Sequence, residues 1–106
     1  MSAPAGVTPP HVHALASSGK AGKLVHLRFT VSDNSGATRE KVTVYSRSIV
    51  TKRIATALAA KKAGTVYSVA WRVPAKPKRP LKFCVVALDA AKNTSAQSCA
   101  RITVSS

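Results

Sequence analysis

Apolar and polar residues alternate along several stretches of the chain, and this two-residue period is typical of half-buried β-strands. Between residues 23 and 32 the apolar positions on one side are Val25, Leu27, Phe29 and Val31. The polar positions on the other side are His26, Arg28 and Thr30. The same period recurs over residues 39–46, 65–73, 81–87 and 99–104. We therefore predict strands over all five stretches.

Two further stretches are less regular. Residues 11–15 form a short apolar run that predicts a weak first strand. Residues 47–64 allow two interpretations. An edge strand over 49–58 followed by a loop suits the β-branched residues Ile49, Val50 and Thr51. A short amphipathic helix would suit Ile54, Leu58 and the alanines. We favour the strand.

Turn-forming residues separate these strands. Residues 33–36 read Asp-Asn-Ser-Gly, three prolines interrupt residues 74–80, and residues 89–93 form a turn before the last strand. About seven short strands with such spacing predict an all-β fold, an antiparallel β-sandwich. The expected core between its sheets comprises Leu27, Phe29, Val44, Val69, Trp71, Phe83, Val85 and Ile102.

The two cysteines are out of phase with the apolar residues around them. Cys84 lies between the inward-facing Phe83 and Val85, and Cys99 precedes the inward-facing Ala100. Both therefore point to the outer side of their strands. A hairpin that joins these strands would bring the two sulfurs together, so we predict a cross-strand disulfide in the final hairpin. Such a bond indicates an oxidising compartment.

Four segments resemble the immunoglobulin-like and fibronectin type III-like modules of bacterial exported or cell-surface proteins. These segments are residues 8–12, 31–36, 69–74 and 83–95. The resemblance implies an antiparallel immunoglobulin-like β-sandwich domain over residues 11–106. The prolines and small residues over 1–10, which do not continue a sheet, predict a flexible linker before it. It also implies a spacer, an adhesin or a carbohydrate binder, because modules of this fold serve all three purposes.

The chain departs from this family at two places. Lys92 occupies a turn position where the family often has glycine, and a lysine with a positive φ would be strained there. The predicted Cys84–Cys99 bond also differs from the disulfide of antibody domains, which joins two inward-facing cysteines on opposite sheets.

The charge is strongly positive. Seventeen Lys and Arg residues oppose three Asp and Glu residues, which gives a formal net charge of +14. Such a field attracts anionic polymers, among them cell-envelope polymers, acidic polysaccharides and nucleic-acid backbones. The candidate polyanion-binding residues are Arg39, Lys41, Lys76, Lys78, Arg79, Lys82 and Arg101. The exposed aromatic residues that base stacking requires are few, so any nucleic-acid binding should be weak and nonspecific.

Catalytic and metal-binding patterns are sparse. Asp33 and Asp89 both lie in predicted turns, where their expected role is to accept hydrogen bonds from backbone amides. His11 and His13 share one face of a strand and could bind a metal if His26 lay alongside them. No Gly-x-Ser-x-Gly motif marks a nucleophile, and no glycine-rich phosphate loop is present. We expect no enzymatic activity, no cofactor and no metal site.

These observations predict a non-catalytic extracellular or cell-surface module that spaces or attaches other parts of a secreted protein. Binding of an anionic polymer is the alternative. No apolar run approaches the roughly 20 residues of a transmembrane helix. The first residues do not resemble a signal peptide, so we expect the export signal to lie outside this segment. Expected partners are other domains of the parent protein, cell-envelope polymers, or a second copy that pairs along the edge strand over 49–58.

Overall fold

The computed structural model describes residues 9–33 and 36–105, and within them all regular structure is β-strand. The strands are β1 (His11–Leu15), β2 (Ser17–Lys20), β3 (Leu24–Ser32), β4 (Ala37–Ser46), β5 (Ile49–Ala55), β6 (Ala59–Ala60), β7 (Tyr67–Arg72), β8 (Leu81–Asp89) and β9 (Ser98–Ser105). The predicted linker over 1–10 lies largely outside the described residues, as do Asn34 and Ser35 of the first predicted turn.

The strands form two sheets that pack into an immunoglobulin-like sandwich. The smaller sheet has the order β1-β3-β7, and the larger has the order β2-β9-β8-β4-β5, with β6 paired to the start of β4. Antiparallel pairing joins all neighbours except β2 and β9, which run parallel. The all-β prediction is confirmed, and two short strands, β2 and β6, add to the seven that the pattern predicted.

The additional strand β2 arises because the chain changes sheets at Ala16. Up to Leu15 the chain pairs with β3, and from Ser17 onward it pairs with β9. The buried Ser17 stabilises this crossover, because its hydroxyl donates to the carbonyl of Leu15 at 3.0 Å and accepts from the amide of Arg28 at 3.1 Å. The first residue of β2 thus forms hydrogen bonds with backbone groups of two paired residues of the smaller sheet.

The core lies between the two sheets where the alternation predicted it. Seven of the eight predicted core residues are buried, and Val69 is partly buried against them. Phe29 and Phe83 are the largest fully buried side chains and come from opposite sheets. Burial of these alternate positions is the main stabilising contribution to the sandwich, since apolar area removed from water contributes about 25 cal/mol per Å².

The ambiguous stretch over 47–64 contains strands and not a helix. β5 pairs with β4 along the edge of the larger sheet, and it ends at Ala55, three residues before the predicted end. Of its side chains only Ile54 packs partly against the core. A strand is favoured because β4 offers backbone partners at this edge, whereas a helix would have had little apolar surface to cover.

The predicted disulfide is confirmed in the final hairpin. Cys84 of β8 lies directly opposite Cys99 of β9, with a Cα–Cα distance of 4.0 Å. The two residues belong to one sheet and not to opposite sheets. Cys99 is exposed as expected, but Cys84 is only 3% exposed because its strand is central and flanked on both sides.

The turn after β8 contains the strained lysine that the sequence suggested. Lys92 has a φ of 67°, and its amide donates to the carbonyl of Asp89 at 3.0 Å. The carboxylate of Asp89 accepts from the amide of Asn93 at 2.9 Å and from its side chain at 3.0 Å. The predicted role of Asp89 as a turn residue is therefore confirmed, while the side-chain role of Asp33 stays a prediction.

Replacing Lys92 by glycine should raise the free energy of unfolding by about 0.5–1 kcal/mol, because glycine adopts a positive φ without the cost that a Cβ imposes. Urea unfolding followed by Trp71 fluorescence measures this change. Lys92→Ala is the matched control, since it removes the same charge and keeps the Cβ. Equal stability of the two variants would show that charge and not backbone strain matters at this position.

Candidate functional site

The larger sheet has an outer face that points away from the core, and we use that name for it throughout. Strand parity places on it six exposed cations, Lys20 of β2, Arg39 and Lys41 of β4, Arg53 of β5, Lys82 of β8 and Arg101 of β9. Four of them belong to the predicted polyanion-binding set, and the strands that carry these four, β4, β8 and β9, lie in one sheet.

Arg53 and Lys20 are the cations of this face that the sequence prediction missed, and Lys20 lies beside Ser105 of β9. Arg53 lies opposite Thr43, which shares its side of the sheet with Lys41. The stretch over 47–64 had two interpretations, so its side chains could not be assigned to a face from the sequence alone. Only the pairing of β5 with β4 places the Arg53 guanidinium among the other cations.

The register arranges four of these cations at successive levels along the strand direction. Arg39 and Lys41 are two residues apart on β4, Arg53 is level with Thr43, and Lys82 is level with Tyr45. Each level is two strand residues, or about 6.7 Å, from the next along the strands, and the series spans about 20 Å in that direction. Arg53 and Lys82 lie on opposite sides of β4, so about 10 Å across the sheet also separates them.

Two contacts define the end of the series at Lys82. Its ammonium lies 5.2 Å from the centroid of the Tyr45 ring, a cation–π contact that orients the side chain. Lys82 also lies directly opposite Arg101 on the neighbouring strand. Like charges in this position destabilise a sheet, so the pair is not explained by the stability of the fold.

The loop over 76–79 lies at the same end of the sandwich, but its cations are not equivalent. Lys76 and Lys78 are exposed. The guanidinium of Arg79 instead donates to the carbonyl of Val104 at 2.7 Å, and the carbonyl of Arg79 accepts from Arg47. Arg79 and Arg101 line a common shallow hollow of about 340 Å³. The expected free cationic tip therefore consists of the two lysines, while Arg79 is anchored to β9.

Two arginines lie on the smaller sheet, Arg28 on β3 and Arg72 on β7. Their guanidinium groups donate to the carbonyls of Ala16 and Gly22, at 2.8 and 3.2 Å. The opposite face of the sandwich therefore carries arginines that hold neighbouring loops, whereas none of the six outer-face cations has this role in the described contacts.

A buried carboxylate, which the sequence prediction did not identify, lies in the interior beside β5 and β6. Glu40 is 1% exposed and points inward, in phase with Val42. It accepts from the hydroxyls of Thr38 at 2.6 Å and Thr56 at 3.0 Å, and Lys61 lies 3.4 Å from its Oε1. Glu40 alternates in phase with the inward-facing Val42 and Val44, and this phase could have identified it as a buried residue from the sequence.

Lys61 is held in this cluster by further contacts. Its ammonium donates to the carbonyl of Thr38 at 2.9 Å and lies 5.6 Å from the centroid of the Tyr67 ring. The hydroxyl of Tyr67 accepts from the amide of Lys62 at 2.7 Å. These contacts hold the segment between β5 and β7 against the sandwich. The cluster therefore stabilises the fold.

The histidines do not converge. His11 and His13 are exposed on β1, but Thr30 and not His26 lies opposite His13. His26 is four residues farther along β3, or about 13 Å away. Across residues 9–33 and 36–105 no three His, Cys, Asp or Glu side chains form a group that could hold a metal ion.

None of the described residues belongs to a helix with the length and apolarity needed to cross a membrane.

No protein-family model matches the chain, and no curated protein matches it. Among solved structures, the chain is similar to the CARDB domain of a Pyrococcus furiosus protein in complex with di-metal ions. The identity is 12%, the match covers 92% of this chain and 93% of that chain, and the TM-score is 0.46.

Proposed function

We propose that the chain is a non-catalytic structural module that spaces or attaches other parts of a secreted or cell-surface protein. The observation that carries this proposal is the path of the chain through the sandwich. β1 begins beside Ser32 at the end of β3, whereas Ser105 at the end of β9 lies beside Lys20, near the start of β3. The two ends of the described domain are thus separated by about 30 Å along the strands.

Two features support the absence of catalysis and the extracellular location. The buried Glu40 and Asp89 are both engaged in hydrogen bonds that hold the fold, which leaves neither available as a general acid or base. The Cys84–Cys99 bond is of the kind that persists in oxidising compartments. We place the module outside the cytoplasm on that basis.

Single-molecule energy transfer tests the spacer function. The domain is fused between two fluorescent proteins, and a Gly/Ser linker of 97 residues is the matched control. Such a linker has a root-mean-square length of about 55 Å, so its mean separation can resemble that of a folded spacer. We expect a narrow distance distribution for the domain and a broad one for the linker. Equally broad distributions would contradict the proposal.

A second candidate function is the binding of an anionic polymer, which the charge distribution favours. The described carboxylates lie away from the outer face, because Glu40 and Asp89 are buried and Asp33 follows β3 in the smaller sheet. The six cations of the outer face are therefore not neutralised by an acidic neighbour on that face among the described residues. Retention on a heparin resin that falls steeply as salt rises is the expected result.

A further inference from the structure

We propose that one end of the sandwich docks onto the surface of an anionic lipid bilayer. This end, which we call the cationic end, comprises the turns over 20–23 and 47–48 and the loop over 73–80. The inference goes beyond both candidate functions, since neither assigns a lipid surface to the chain. It rests on cations and apolar side chains that these separate segments bring together.

Strand pairing places the three connections at the same end of the sandwich. β4 ends opposite the first residue of β8, so the turn over 47–48 and the loop over 73–80 lie together. β9 runs antiparallel to β8, and β2 runs parallel to β9, so both also end where β8 begins. The turn over 20–23 leads from there into the smaller sheet, where β3 begins opposite the end of β7.

Backbone hydrogen bonds join these connections to one another. The amide of Gly22 donates to the carbonyl of Val73 at 3.0 Å. The amide of Arg47 donates to the carbonyl of Pro80 at 3.0 Å, and its Nε donates to the carbonyl of Arg79 at the same distance. The end is therefore preformed, and docking need not first order its loops, which reduces the entropic cost of binding.

The cationic end carries positive charge without an acidic neighbour. Its exposed cations are Lys20, Lys23, Arg47, Lys76, Lys78 and Arg79. Asp33 and Asp89 follow or end strands that run away from this end, β3 and β8. Glu40, the remaining carboxylate, is buried six residues from Ser46 on β4, or about 20 Å along the strand. The charge of this end is thus complementary to anionic lipid headgroups.

The two most exposed large apolar side chains lie at the same end. Leu24 is 53% exposed and Ile49 is 70% exposed, and each is the first residue of a strand that follows a turn of the cationic end. The loop over 73–80 runs between them, from β7 beside Leu24 to β8, which lies two strands from β5.

This combination of side chains favours a bilayer as the ligand. Single exposed apolar residues are common on protein surfaces, but here they accompany six cations. At a bilayer, apolar side chains enter the boundary between headgroups and acyl chains, while cations attract the anionic headgroups. A soluble anionic polymer offers no such apolar layer to Leu24 and Ile49. We therefore assign a lipid surface and not a polymer to this end.

The first test compares two double variants that each remove two positive charges. Lys76→Gln with Lys78→Gln alters the cationic end. Arg39→Gln with Lys41→Gln is the matched control on the outer face, at least about 17 Å from Ser46 along β4. Binding is measured by cosedimentation with vesicles of phosphatidylglycerol and phosphatidylcholine in equal parts. Far-ultraviolet circular dichroism and urea midpoints establish that all variants remain folded.

We expect the variant of the cationic end to weaken vesicle binding about 25-fold, since each Lys or Arg at an anionic membrane contributes about fivefold. The control should weaken it less than about threefold, because its charges lie about two Debye lengths away at physiological salt. Vesicles of phosphatidylcholine alone should not bind the protein. An equal loss in both variants would overturn the docking, because it would show that only the overall charge acts.

A second pair of variants tests the entry of apolar side chains into the bilayer. Leu24→Ser with Ile49→Ser should weaken vesicle binding about tenfold or more. Leu58→Ser with Val66→Ser is the matched control at exposed apolar positions outside the cationic end, and it should leave binding within about twofold. Brominated lipids should quench the fluorescence of Leu24→Trp and not that of Val66→Trp. Vesicle binding that is insensitive to Leu24 and Ile49 would overturn the assignment of a bilayer.

Heparin separates the docking from the second candidate function. Its retention should not change in the Leu24→Ser, Ile49→Ser variant, because a soluble polymer has no apolar layer. Retention on heparin without binding of anionic vesicles would reject the docking and retain the second candidate function. Binding of neither heparin nor vesicles would reject both.

Discussion

Lys61→Met should lower the free energy of unfolding by about 3–5 kcal/mol, because it leaves the Glu40 carboxylate buried without its cationic partner. The side chain of Glu40 is 0% exposed and that of Lys61 is 10% exposed. The hydroxyls of Thr38 and Thr56 would still donate to the carboxylate, but neutral donors compensate a buried charge only in part. Urea unfolding with Trp71 fluorescence as the signal measures the loss.

Three further variants make this measurement specific. Lys62→Met is the matched control at the adjacent, exposed lysine, and it should change stability by less than about 0.5 kcal/mol. Glu40→Gln removes the buried charge while keeping the shape of the side chain, so it should cost less than Lys61→Met. Adding Glu40→Gln to Lys61→Met should restore part of the lost stability. If Lys61→Met were no worse than Lys62→Met, the ion pair would not stabilise the fold.

Replacing Cys84 and Cys99 together by alanine should lower the free energy of unfolding by about 3 kcal/mol. The bond closes a loop between residues 15 positions apart and restricts the unfolded chain. Alanine is preferred to serine because Cys84 is buried, where a new hydroxyl would need a hydrogen-bond partner. The same urea measurement detects the change.

Reduction supplies the control for the disulfide. A reducing agent should lower the urea midpoint of the unmodified protein toward that of the double alanine variant. It should leave the midpoint of the variant itself unchanged, since the variant contains no disulfide. A reducing agent without effect on the unmodified protein, under conditions in which free thiols are detected, would show that the bond adds little stability.

These two predictions concern parts of the molecule with different functions in the fold. The Glu40–Lys61 pair fixes the segment after β5 to the start of β4, beside Thr38. The disulfide joins β8 to β9 in the middle of the outer face, between the levels of Lys41 and Lys82. Loss of either need not remove the cations of the outer face, so polyanion binding can be measured separately from stability in variants that remain folded.

Local patterns in the sequence were sufficient for much of the fold. The alternation around Phe29 and Phe83 determined which residues enter the core, because a strand has a period of two wherever it lies. The phase of Cys84 and Cys99 determined that their bond would lie within one sheet. Asp89 determined its turn through hydrogen bonds to Asn93, which is only four residues away.

Other features depended on contacts between residues distant in the chain. The pairing of Glu40 with Lys61 required the segment after β5 to return to β4, and the parity of Glu40 alone could not name its partner. The crossover at Ala16 required β9 to be available as a parallel neighbour of β2. Such pairings depend on the sum of packing and hydrogen bonding over both sheets, which a local pattern does not contain.

The candidate site also combines features that the sequence determines with features that only the tertiary structure determines. The sequence by itself determined the net charge of +14 and the outward orientation of Arg39, Lys41, Lys82 and Arg101 on their strands. Only the tertiary structure decided that these residues share one face with Arg53 and Lys20, because strand order and register determine the distances between side chains of different strands. It also decided that Arg79 is anchored to Val104, since that carbonyl is 25 residues away in the chain.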